Sequence, residues 1–181
     1  MNRRSFLTMG LVAAAAFINP VKALASLDTV QDDERLISLY NPTTKESLSL
    51  VYYRKGTYHP DCMEQINHIF RDHRTGKIKP IDENLIDLLS KVQADTKTST
   101  PFHIISGYRT PRSNALLRKT MNGVAKKSFH MYGQAADIRL PGYSLKKLRK
   151  VLMKQKMGGV GYYSKSRFIH VDVGEVRYWW G

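Results

Sequence analysis

The run Ser128-Phe129-His130-Met131-Tyr132-Gly133-Gln134-Ala135-Ala136-Asp137 constrains this chain more than any other stretch. It sets an imidazole and a carboxylate seven residues apart, with a glycine between them and small residues beside the acid. Forty residues after His130 comes Phe168-Ile169-His170-Val171-Asp172, which reads as a strand with alternating apolar and polar positions. A fold that joins these side chains offers two imidazoles and one carboxylate, a set suited to Zn²⁺ with a fourth position for water. Each residue alone has a plainer reading. His130 can be a hydrogen-bonded structural histidine, Asp137 the partner of an arginine such as Arg139, and His170 a strand residue packed beside Phe168.

The flanking segments supply elements that can carry such a set. Leu36–Tyr40 and Leu48–Tyr53 read as strands joined by the turn Asn41-Pro42-Thr43-Thr44-Lys45. From Asp61 to His73, Met63, Ile66, Ile69 and Phe70 share a helical face that ends before Gly76. Asp82 suits the cap of a second helix bearing Leu85, Ile86, Leu88, Leu89 and Val92, followed by a polar loop over Asp95–Thr100. Phe102–Ile105 reads as a buried strand running into Ser106-Gly107-Tyr108-Arg109, and Thr110-Pro111 opens a helix. Gln134–Leu140 is a strand carrying Asp137, and Ser144 precedes a helix with Leu145, Leu148, Val151 and Leu152. Gly158–Tyr163 turns into one more strand. Helices come early and strands cluster late, which predicts an α+β fold: a small antiparallel sheet carrying the His/Asp/His set, flanked by helices. At 181 residues the chain is too short for two ordinary domains, so residues 36–181 are expected to form one.

The N-terminus reads as an address. Arg3 and Arg4 precede Phe6 and Leu7, an apolar run from Leu11 to Ile18 is too short to span a bilayer, and Ala23-Leu24-Ala25 is a small-x-small cleavage site. The paired arginines resemble a twin-arginine export signal, with an ordinary Sec signal or an uncleaved anchor as the alternatives. Cleavage after about Ala25, a loose leader over 26–35, a periplasmic location and no membrane span in the mature chain are expected. The export machinery is then a partner. Lys and Arg number 29 against 15 Asp and Glu, and the resulting +14 would suit nucleic acid, an anionic membrane surface or an anionic wall polymer. No nucleic-acid motif and no basic stripe interleaved with aromatics accompanies the charge, so nucleic acid is not an expected partner. Cys62 is the single cysteine, which rules out an intramolecular disulfide and a cysteine zinc finger. Among Met63, Ile66 and Phe70 it reads as a small apolar residue.

Ser128, His130, Gly133, Ala136 and Asp137, followed by the strand residue His170, resemble the zinc signature of the D-Ala-D-Ala metallopeptidase superfamily. That superfamily also holds lysostaphin-type endopeptidases and the Hedgehog signalling domain. The stretch from Phe70 through Gly174, with Ser106-Gly107-Tyr108-Arg109 and Gly158-Gly159-Val160-Gly161-Tyr162-Tyr163, looks like murein endopeptidases of the MepK type. The resemblance implies one Zn²⁺ per chain held by His130, Asp137 and His170, and hydrolysis of peptidoglycan cross-links between two meso-diaminopimelate residues. It implies that Arg109 clamps a substrate carboxylate or stabilises an oxyanion. Ser128, Tyr108, Gln134 and Tyr162 become candidates for binding substrate or for orienting the ligands, with Tyr162 also a lesser candidate for an acid or oxyanion role and Tyr108 also readable as a packing residue. Many relatives place an acid three residues before the second histidine, but here that position is Arg167. Asp172, two residues after His170 and on the same strand face, is left either as the catalytic base or as an orienting residue. A carboxypeptidase or dipeptidase trimming stem peptides, or a non-catalytic zinc domain that binds the wall, remain alternatives.

Overall fold

The computed structural model describes residues 33–121 and 123–181. The export signal, its cleavage point and all but the end of the leader lie outside them.

Local signals set most element ends. Strands β1 (Arg35–Asn41) and β2 (Glu46–Arg54) form the expected hairpin. Its turn closes because Asn41 Oδ1 accepts from the N–H groups of Thr43 and Thr44, while Asn41 Nδ2 donates to Ile69 O. A short β3 (Thr57–Tyr58) follows, then α1 (Pro60–Ile69), with Pro60 in the first turn where no N–H is needed. Helix α1 stops short of His73. Asp72 instead turns inward to accept from the N–H groups of Arg74 and Thr110 and from Thr110 Oγ1.

Asp82 caps α2 (Glu83–Thr96) by accepting from Asn84 N, as its position predicts. Strand β4 (Phe102–Ser106) leads to α3 (Pro111–Thr120), whose cap Thr110 accepts from Ser113 N. Strand β5 (Ala135–Arg139) is followed by α4 (Leu145–Gln155), with Ser144 at the cap position but making no capping bond. Strands β6 (Gly159–Tyr163), β7 (Phe168–Asp172) and β8 (Arg177–Trp180) complete the order.

The α+β class holds, but the sheet is neither small nor purely antiparallel. Eight strands lie in the order β3-β2-β1-β4-β5-β7-β6-β8, with β1–β4 and β6–β8 parallel. The first parallel join needs a long crossover, which α1 and α2 supply. The second arises because the aromatic C-terminal segment adds to β6 as a strand that local sequence did not announce.

Strand alternation divides the work of the sheet. Ile37, Leu39, Phe102, Ile104, Ile138, Ile169 and Val171 enter one core with Leu85, Leu89, Leu148 and Leu152 from the helices. On the other face, register aligns Ser106, Asp137, His170, Gly161 and Trp179 across β4, β5, β7, β6 and β8.

Asp72 also makes stability depend on pH. Burial alone would raise its carboxyl, but donors from Ser113, Thr110 and Arg74 outweigh that and hold it at about 2. A depressed folded value stabilises the chain above the unfolded value near ~4 and loses that contribution as pH falls through about 2. Asp72→Asn should therefore cost about 2 kcal/mol at neutral pH. Urea denaturation should show the wild-type and variant curves converging as the acid limit is approached.

Candidate metal centre

Asp137 and His170 are direct cross-strand partners on β5 and β7, so their side chains leave the sheet on one face and side by side. His130 arrives from a 3₁₀ turn, Phe129–Tyr132, that ends at Gly133 in the left-handed region (φ 73°). A side chain there would also collide with the chain opposite, since a Cβ would lie 2.3 Å from Pro80 O. Gly133 thus lets the turn pack closely and drop His130 over the strand pair. His170 Nδ1 lies 2.9 Å from Asp137 Oδ1, and His130 Nε2 lies 3.3 Å from the same oxygen and 3.2 Å from His170 Nδ1. Among the described residues this is the trio whose ligand atoms all fall within 4.8 Å of one another.

The outer contacts decide which nitrogen lone pairs face inward. His130 Nδ1 is 2.7 Å from Gly107 O, and a carbonyl oxygen only accepts, so Nδ1 carries the proton and Nε2 is left free. His170 Nε2 is 3.1 Å from Asp172 Oδ2, so Nε2 donates outward and Nδ1 points inward. Asp172 is fully buried and has both oxygens engaged. Oδ1 accepts from the N–H groups of Gly159 and Gly174 and from Arg177 Nη1, and Oδ2 accepts from Arg177 Nη2 at 2.7 Å as well as from His170. Arg109 donates from Nε to Ser106 Oγ at 2.8 Å and from Nη2 to Asp137 Oδ2. One oxygen of Asp137 is therefore held by the arginine while the other faces the histidines. The donor set fits a divalent metal: two imidazole nitrogens and one carboxylate oxygen converge, each with its outer atom anchored.

The same contacts set the charges. Burial lowers His130, which favours the neutral ring that a ligand must present. Burial opposes the charged form of Asp137, but His130, His170 and Arg109 outweigh it and hold the carboxyl well below the usual range. For His170 burial is likewise outweighed, by bonds to Asp137 and Asp172, and its value rises. Asp172 lies at about 2, since His170, Arg177 and Gly174 together overcome its burial.

The other sequence candidates are spread more widely. Ser128 is buried at the start of the 3₁₀ turn, where its carbonyl accepts from Met131 N. Among the described residues its hydroxyl bonds to none of the three ligands. Gln134 Nε2 donates to Asp82 Oδ2 and so braces the site against the start of α2. Tyr162 is the clearest displacement: its neighbour Gly161 pairs with His170, so alternation turns Tyr162 to the opposite, helix-covered face. Tyr108 stays beside Arg109, its N–H donating to Phe70 O. The arginine paired with Asp137 is Arg109, and not Arg139 as the plainer reading of the carboxylate suggested.

Sequence reasoning missed two contributors, and saw a third, Trp179, only within the aromatic end Tyr178-Trp179-Trp180, as a groove-lining or capping residue. Gly107 acts through its backbone carbonyl, which no side-chain pattern reveals. Arg177 is five residues after Asp172 and reaches it only because the chain bends back into β8. Trp179 stands beside His170 with ring centroids 5.4 Å apart, in space that exists because residue 161 is glycine. A Cβ at Gly161 would lie 2.4 Å from the indole.

A family model described as peptidoglycan L,D-endopeptidase MepK matches residues 29–179. The peptidoglycan L,D-endopeptidase MepK of Escherichia coli strain K12 is 42% identical over 178 residues, covering 98% of this chain and 97% of the relative. A protein of that name from Shigella flexneri matches equally well. A probable peptidoglycan L,D-endopeptidase MepK of Haemophilus influenzae is 34% identical over 181 residues, with 99% and 96% covered.

Proposed function

Because this chain belongs to the peptidoglycan L,D-endopeptidase MepK family, we propose that it is a zinc peptidase cleaving peptidoglycan cross-links between two meso-diaminopimelate residues. The observation that carries the reading is the convergence of His130 Nε2, Asp137 Oδ1 and His170 Nδ1 on one point of the sheet face opposite the helix-packed core. Zinc bound there would supply Lewis acidity and a water of pKa roughly 7. Gly107 and Asp172 keep the two inward lone pairs aimed, and Arg109 keeps Asp137 presenting a single oxygen. The remaining N–H groups of Arg109 can donate to a substrate carboxylate or to the charge that develops on the attacked carbonyl.

Asp172 has no accessible oxygen and holds His170, which supports a positioning role over that of proton acceptor. Residues 1–25 are proposed as a cleaved twin-arginine-type signal and 26–35 as a leader. Residues 36–181 are proposed as the single catalytic domain, acting in the periplasm with peptidoglycan as its partner. A peptidoglycan-directed family and the paired Arg3 and Arg4 support this placement.

Mass spectrometry of muropeptides from sacculi incubated with the mature protein, with and without a chelator, tests the reading. Chelator-sensitive loss of 3-3-linked dimers with matching monomers is the expected result. Shortened stems with dimers intact would make the protein a carboxypeptidase. No change with zinc bound would make it a wall-binding domain. In the same assay Asp172→Asn should weaken zinc affinity by about 10–100-fold, with activity restored by added zinc. Lost activity at full zinc occupancy would instead make Asp172 the base.

A further inference from the structure

Tyr108, the residue before Arg109, lines a solvent-open groove of about 990 Å³ between the loop after α1 and helix α3. Arg74 and Lys77 stand on one side and Arg112 and Lys119 on the other, and no acidic residue lines the groove. Among the described residues, none of the four cations makes an ion pair. Pro111 and Leu116 add an apolar strip, and Leu116 is 53% exposed.

The walls are fixed to each other. Asp72 accepts from Thr110 N and Oγ1, and Tyr108 N donates to Phe70 O at 2.7 Å. Gly107 packs so closely on Phe70 that a Cβ would meet its carbonyl oxygen at 2.4 Å. A groove held this way needs little ordering when a ligand enters, so its charges act at low entropic cost.

We propose that this groove is the subsite for the second stem peptide of a cross-linked substrate, recognised through that peptide's free carboxylates. The inference rests on the proposed function, because it takes the metal centre as the place of cleavage. Each diaminopimelate carries two carboxyl groups and a 3-3 cross-link consumes only one from the donor residue, so both partners keep free carboxylates next to methylene chains. Cations above an apolar strip match that chemistry. Arg109 at the centre and Tyr108 in the groove are consecutive residues, so a stem extending from the scissile bond can run from one to the other. The contact is electrostatic and exposed, and it weakens with salt.

The test compares two soluble substrates with the same cross-link, one with a complete second stem and one with that stem cut back to an amidated, uncharged diaminopimelate. Wild type is expected to show a KM about tenfold lower for the complete substrate. The double variant Arg112→Glu with Lys119→Glu should lose that advantage. The control, Lys147→Glu with Lys150→Glu on α4, makes the same change in net charge and should keep it. An advantage that persists in the groove variant, or disappears equally in the control, overturns the proposal. If wild type cleaves neither substrate, the functional reading fails by itself. Calorimetric titration with the free stem peptide then decides the groove: binding by wild type and control but not by the groove variant supports it, and equal or absent binding overturns it.

Discussion

Asp137→Asn should remove both bound zinc and hydrolysis, lowering kcat/KM by on the order of 10³-fold or more. The substitution keeps shape and removes charge. Among the described residues three candidate ligands converge at the centre, and Asp137 is the anion of the three. Its loss also strands Arg109, whose Nη2 is committed to Asp137 Oδ2. Metal analysis alongside turnover of a 3-3-linked substrate checks the result, with circular dichroism to confirm the fold. A variant that keeps one zinc per chain and near-normal turnover would overturn the assignment of the centre.

The largest effect outside the ligands is expected at Gly133. Alanine there must adopt a left-handed backbone and place its Cβ against Pro80 O, which is backbone and cannot swing aside. The strain and clash together should cost about 2–4 kcal/mol. The damage would not remain local. Gly133 N–H bonds to His130 O and Gly133 O accepts from Asp82 N, so the residue joins the histidine turn to the start of α2. Urea denaturation should show the loss of stability, and zinc titration should show weakened affinity in the molecules that stay folded. An unchanged midpoint with unchanged affinity would refute this account.

What the sequence disclosed follows from how far each interaction reaches. The hairpin turn at Asn41, the cap at Asp82 and the Thr110-Pro111 helix start depend on neighbours within a few residues, and all were legible. The proximity of His130, Asp137 and His170 was legible through the spacing of a recognisable pattern. The same-face relation of His170 and Asp172 followed from strand alternation. Tyr162 could have been excluded by that rule had the pairing of Gly161 with His170 been known. Arg177, Trp179 and the carbonyl of Gly107 enter through strand β8 and a backbone atom, contacts that only the assembled sheet reveals. The sheet's mixed character was hidden for a similar reason, because parallel joins connect segments with no local signature of their partner.

The transverse row Ser106–Asp137–His170–Gly161–Trp179 makes the face of the candidate centre a register check on folding. A slip of β7 by one residue against β5 would turn His170 and Asp172 toward Leu148 and Leu152, and leave Ile169 and Val171 facing water. Such a copy would bury charge without its partners and expose its core strand, so it would be unstable as well as inactive. Misaligned chains are thereby sorted out by the residues of the candidate centre, and the molecules that persist are those with Asp137 and His170 in line.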